Sequence, residues 1–178
     1  MKVARIVYPV AVCGFAVAAV LNAITWLPID VSGLTPVWVA LFIGIFPVWL
    51  VAILVISPEA RDSWATQGPR RWYQARRSLS WRQIVRGVPP WMLAVGVVVV
   101  VYVFANFFAS IALLPGQPEA TGGQYYFDVH GRHVATDLPG YLEGLRREMR
   151  IFTGHPMVFY GVAALVMYGR RRPLATRE

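Results

Sequence analysis

Four apolar stretches without a single Asp, Glu, Lys or Arg limit what this chain can fold into. They cover about residues 6–27, 36–56, 90–114 and 151–169, and each meets the ~20 residues that a helix needs to cross a bilayer. Inside hydrocarbon the backbone must satisfy its own hydrogen bonds, so the expected form of each span is a helix. Of the 178 residues, 57% are hydrophobic and 15% charged, well under the usual quarter for soluble domains. That composition excludes a disordered chain and a collagen-like fibre. Cys13 is the sole cysteine, which excludes a disulfide scaffold and paired-cysteine redox chemistry. The expectation is an all-α membrane protein, a four transmembrane helix bundle forming one polytopic domain over 1–178.

Lys2 and Arg5 precede the first stretch as they would in a signal peptide. The apolar run is longer than a signal core, and Ile24-Thr25-Trp26-Leu27-Pro28 offers no small-x-small cleavage site, so it reads as a retained span. Charge sets the expected orientation. The N-terminus, the loop 57–89 and the tail hold thirteen basic and three acidic residues, against four and six in the other two loops. Basic segments stay cytoplasmic, which puts both termini and the loop 57–89 inside and the loop 115–150 outside. Topology thus accounts for the net charge of +8 without a nucleic-acid partner. Trp26 and Trp38 fall at the outer interface, Tyr8, Trp91 and Tyr168 at the inner one, and Pro47 is expected to kink the second span. No internal repeat supports an inverted-repeat transporter. Sixteen arginines against one lysine, with abundant Ala, Val and Gly, point to a GC-rich bacterium and hence its cytoplasmic membrane.

In the cytoplasmic loop, arginines alternate with Trp72, Tyr73, Leu79 and Trp81 on no single helical face. Ser80-x-x-Gln83 has the form of a capping box before a short helix leading to Pro89-Pro90. Arg70, Arg71, Arg76 and Arg77 are expected to contact anionic lipid headgroups.

The external loop carries the strongest soluble signal. Residues 124–136 read as two strands joined by His130-Gly131, in a register that sets Val129 opposite Arg132 and Asp128 opposite His133. Tyr125, Phe127, Val129 and Val134 then share an apolar face expected to lie on the bundle, while Tyr126, Asp128 and His133 share the other. Thr136 or Asp137 can cap a following helix with Tyr141, Leu142 and Leu145 that runs through Arg150 into the fourth span. Arg146, Arg147 and Arg150 form a basic collar there, with Glu143 as partner at i+3 or i+4.

Tyr125, Tyr126, His130, Gly131, Tyr141, Arg150, Phe152, Gly154 and His155 make a pattern over the last third of the chain. It resembles small uncharacterised bacterial four-span membrane proteins. The resemblance implies the same general architecture and transfers no catalytic role.

Three sets of residues are candidates for chemistry. His130, His133 and Asp128 can be read as a metal set, but two imidazoles flanking a turn are few for a site, and Asp128 with His133 fits a cross-strand ion pair. Asn22, Asn106 and His155 all fall within ~6–12 Å of the outer surface at ~1.5 Å per residue. Polar groups at that depth seek one another, so they form either a pocket for a lipid headgroup or quinone carbonyl, or interhelical hydrogen bonds that fix packing. With only His155 inside a span and no carboxylate there, a self-contained haem protein and a proton-coupled exporter are both disfavoured. No catalytic residue and no cofactor is expected.

Three functions remain. The first is a non-enzymatic accessory or scaffold component whose partners are membrane lipids and another membrane protein or a second copy. The second is a small transporter or lipid- or quinone-binding protein using an outer-leaflet polar pocket. The third is a membrane enzyme acting at the outer surface through its histidines.

Overall fold

The computed structural model describes residues 2–56, 85 and 87–171. The helices are α1 (Lys2–Ile24), α2 (Thr35–Ile56), α3 (Pro90–Leu113) and α4 (Leu138–Arg171). Each is long and apolar enough to cross a membrane. The strands are β1 (Gln117–Thr121), β2 (Gln124–Val129) and β3 (Arg132–Thr136). Arg70, Arg71, Arg76, Arg77 and the Ser80–Gln83 pattern lie outside the described residues.

The helices do not form a symmetric bundle. α4 packs against α1, α2 and α3, while α1 touches α2 lightly and α3 keeps to α4. Half of the apolar window of α4 is buried, against about a fifth or less for the others. α3 meets α1 mainly through the Tyr102–Asn22 hydrogen bond. Sequence explains the closest of these contacts. Ala4, Ala11 and Ala18, seven residues apart on α1, are fully buried and let two backbones approach. The ring of Tyr160 enters the space beside Gly14 of α1 and Gly44 of α2. Its hydroxyl donates to the Leu41 carbonyl at 3.0 Å. Trp49 of α2 donates to the Phe159 carbonyl at 2.9 Å, and Trp38 stacks on Phe152 at 4.7 Å. One α4 residue thus knits three helices, and apolar side chains from α1, α2 and α4 close around it.

The fourth span and the external helix are one element of 34 residues. Asp137 starts it, its Oδ1 accepting the Gly140 N–H at 2.8 Å. Pro156 lies inside α4, and Pro47 lies inside an unbroken α2.

The expected hairpin is a three-stranded antiparallel meander, order β1-β2-β3. β2 and β3 pair in the expected register, Asp128 opposite His133 and Val129 opposite Arg132. Their turn has His130 and Gly131 both at positive φ, the geometry of a type I′ turn. β1 is the addition. Gly122 and Gly123, at φ 61° and 78°, make a second turn of the same kind and bring Thr121 opposite Gln124. Pro118 disguises β1 as non-strand sequence; it is tolerated because β1 is an edge.

β1 and β2 rest on the first turns of α4, where Phe127 is buried over Gly144 and the Tyr125 ring packs, tilted, against Tyr141 at 5.0 Å. β3 is the far edge, so Val134 stays half exposed rather than lying down with Phe127. Before α2, Asp30 Oδ1 accepts the Ser32 N–H at 2.8 Å, and hydrogen bonds from Ser32 hold that carboxyl below its usual range.

Gly14→Ala tests the seat of Tyr160, because its Cβ would stand 2.6 Å from the ring. The expected loss is about 1–3 kcal/mol, read as a lower thermal midpoint of the purified protein. Gly33→Ala meets no atom within 4 Å and should leave the midpoint unchanged.

Candidate functional site

Polar side chains gather at the end of the helices that carries the sheet. Glu143, Arg146, Arg147 and Arg150 occupy steps of three and four residues on α4, hence one face. Glu143 is shared. Its Oε2 accepts from Arg146 at 2.7 Å and its Oε1 from Arg147 at 2.8 Å. Arg146 also donates to the Ile29 carbonyl at 3.3 Å, and Arg147 donates to the Leu113 carbonyl of α3.

Arg150, one turn further on, leaves this pair and turns into α1. Its Nε donates to Thr25 Oγ1 at 3.1 Å and its Nη2 to the Thr25 carbonyl at 2.8 Å. The guanidinium sits 4.0 Å from the centroid of the Trp26 ring. Such a cation–π contact is worth about 0.5–2 kcal/mol, more as water is excluded. Arg150 is 8% exposed, yet among the described residues no carboxylate forms a salt bridge with it.

Beneath it lies a network with almost every polar group satisfied. Asn22 of α1 donates to Thr153 Oγ1 at 2.9 Å and to the Arg150 carbonyl at 3.2 Å, and accepts from Tyr102 of α3 at 2.6 Å. Tyr102 accepts in turn from Trp26 Nε1 at 3.0 Å. Thr153 donates to the Met149 carbonyl and Thr25 to the Asn22 carbonyl. Asn22, Thr25 and Thr153 are 1% exposed or less, so an unmade bond here would cost its full desolvation penalty.

Above the network opens a pocket of about 350 Å3 between the turn after α1 (Thr25 to Pro28), α3 and α4. Its polar lining is Thr25, Asn106, Ser110, Glu143 and the three arginines. Three guanidinium groups face one carboxylate, so the pocket carries a net positive charge suited to an anion, and the arginine forks match phosphate or carboxylate oxygens. No family model, curated protein or solved structure matches this chain.

The residues singled out in sequence separate in space. Asn22 sits in the interhelical network and Asn106 in the pocket wall. His155 joins neither. Its Nδ1 lies 3.0 Å from the Ile151 carbonyl, so that nitrogen carries the hydrogen, and its ring stands edge-on to Phe107 at 5.5 Å. His130, His133 and Asp128 do not converge on a metal. Asp128 accepts the Gly131 N–H at 2.7 Å, His133 stacks on Tyr126 at 4.2 Å, and His130 stands in the turn. The expected Asp128–His133 ion pair is not among the described contacts, because the turn claims the carboxylate. Among the described residues no group of three His, Cys, Asp or Glu can hold a metal ion.

Sequence reasoning missed Thr25, Tyr102 and Thr153. Hydroxyls are common in apolar helices, and only their spacing against Asn22 and Arg150 across three helices singles them out. Arg150 was visible as a collar residue, but not as the one that turns inward.

Asn22→Ala should lower stability by about 1–3 kcal/mol, since the buried Thr153 hydroxyl and the part-buried Tyr102 hydroxyl lose their partner. Tyr102→Phe removes one hydroxyl and should cost about 1 kcal/mol. Equal, unchanged thermal midpoints for both variants would show that the network holds nothing.

Proposed function

We propose that this chain is a non-enzymatic multi-pass protein of the bacterial cytoplasmic membrane that binds the phosphate-bearing headgroup of an anionic lipid. The single observation that carries this reading is the convergence of Arg146, Arg147 and Arg150 on one pocket with one carboxylate. Four apolar helices support the membrane setting. The excess of basic residues at the termini and in the loop 57–89 supports an orientation with both termini inside. The sheet and the pocket then lie at the outer face, where Trp26 and Trp38 suit the headgroup region.

The pocket takes over from the site centred on His155, whose ring is already engaged within its own helix. A headgroup needs no nucleophile, base or metal, only cationic forks at the right depth. The histidines sit apart, which removes the geometric support for an outer-surface enzyme. An accessory role stands as a second reading. Val97, Val101, Phe104 and Phe108 follow helical steps on α3 and are well exposed, a stripe that lipid or another membrane protein can cover.

Two measurements test this. Native mass spectrometry in mild detergent should find phosphatidylglycerol retained over phosphatidylcholine. Arg147→Gln should lower that retention about tenfold, the loss of one charge-assisted pair. Equal retention of both lipids would reject the headgroup reading, and a stoichiometric second polypeptide would favour the accessory one. A reporter active only outside the cytoplasm should be active when fused after Glu119 and silent after Arg77; the reverse would overturn the orientation.

A further inference from the structure

A second hollow, of about 520 Å3, lies between α1, α3 and α4 and shares two of these helices, α3 and α4, with the basic pocket. Its walls are apolar, with Tyr8, Val12 and Phe15 on α1, Val95 and Val99 on α3, and Met157 to Val166 along α4. The two hollows lie on one seam. On α3, Val95, Val99, Tyr102, Asn106 and Ala109 follow at steps of three and four residues, hence one face. The first two line the apolar groove and the last two the basic pocket. Tyr102 stands between them, its hydroxyl tied to Asn22 and Trp26 and its ring partly exposed as an apolar sill. The seam is therefore amphipathic along its length, cationic at the sheet end and hydrocarbon-like beyond Tyr102.

The lining selects an occupant. From Met157 to Val166 the apolar groove runs about 14 Å at 1.5 Å per residue. The α3 face that lines it continues into the basic pocket, so the seam matches a molecule with an anionic head and a hydrocarbon chain. The groove begins about 10 Å below Arg150 and ends about 24 Å below it, past the ~15 Å of one leaflet's hydrocarbon.

We propose that the seam holds one anionic lipid as a whole, with its phosphate in the basic pocket and a long hydrocarbon chain over Tyr102 in the apolar groove. This rests on the headgroup reading above and adds the tail. A soluble phosphate or a short-chain lipid meets only the pocket. A long chain also fills the groove, so chain length contributes to selection.

The test uses the full-length protein in mild detergent and two probes, dihexanoyl and dioleoyl phosphatidic acid, scored by native mass spectrometry. Retention of the dioleoyl lipid should exceed that of the dihexanoyl lipid by about tenfold, a small part of what burying several methylenes can supply. Val95→Trp and, from the opposite wall, Val12→Trp fill the groove from exposed positions. Each should abolish the preference while leaving dihexanoyl retention as in the parent, which also shows that the variant is folded. Equal retention of both probes by the parent protein would overturn the tail while leaving the headgroup reading intact. A preference that survives both tryptophans would overturn it too, because the chain then lies elsewhere. Retention of neither probe would overturn both readings.

Discussion

An amide side chain buried among apolar helices has nowhere to turn but another helix, and Asn22 turns to two. Its donors reach α4 while its acceptor meets α3. In water such bonds contribute little net stability, because solvent competes for every partner. Away from water the cost of an unmade bond sets the register instead. Slide α1 by one residue and the amide meets neither Thr153 nor Tyr102, while Arg150 loses Thr25. The apolar contacts of these helices are permissive by comparison, since valine against valine fits at several offsets. Asn22, Thr25, Tyr102, Arg150 and Thr153 therefore fix where α1, α3 and α4 stop sliding, and so where the pocket forms.

A central α4 divides labour along its own length. Its first turns carry the sheet, its middle carries the cationic face, and its remainder carries Tyr160 and the small-residue contacts with α1 and α2. Peripheral helices that scarcely touch one another leave a seam between α1 and α3, with α4 as its floor. A symmetric bundle would bury that floor. The hollow that makes the chain suited to a ligand thus comes from the same asymmetry that makes α4 indispensable.

Much of the fold was legible because it obeys one-dimensional rules. Runs without charge gave the four long helices, and His130-Gly131 gave a turn and its register. β1 escaped because Gln117–Thr121 contains a proline and no apolar alternation; the Gly122-Gly123 pair was the readable signal. The site was less legible, for a physical reason. Depth along a helix can be counted from sequence, but the direction a side chain takes around the helix depends on which neighbours pack there. Asn22, Asn106 and His155 share a depth and not a direction, so counting grouped them and packing separated them. Arg150 is the converse. It shares its face with Arg146 and Arg147, and Thr25 and the Trp26 ring, in the turn after α1, draw it inward.

The unbroken run of α4 has a mechanical side. Thirty-four residues make a rod about 51 Å long, longer than the ~30 Å of hydrocarbon it is proposed to cross. The surplus stands clear as a mast, and the sheet is lashed to it by Phe127 and Tyr125 rather than hung from a flexible linker. Pro156 supplies no N–H to the carbonyl of Phe152 and is the one point where the rod is softened. A push on the sheet therefore passes into α4 itself rather than into a linker, and α1 and α2 are braced against that helix through Tyr160.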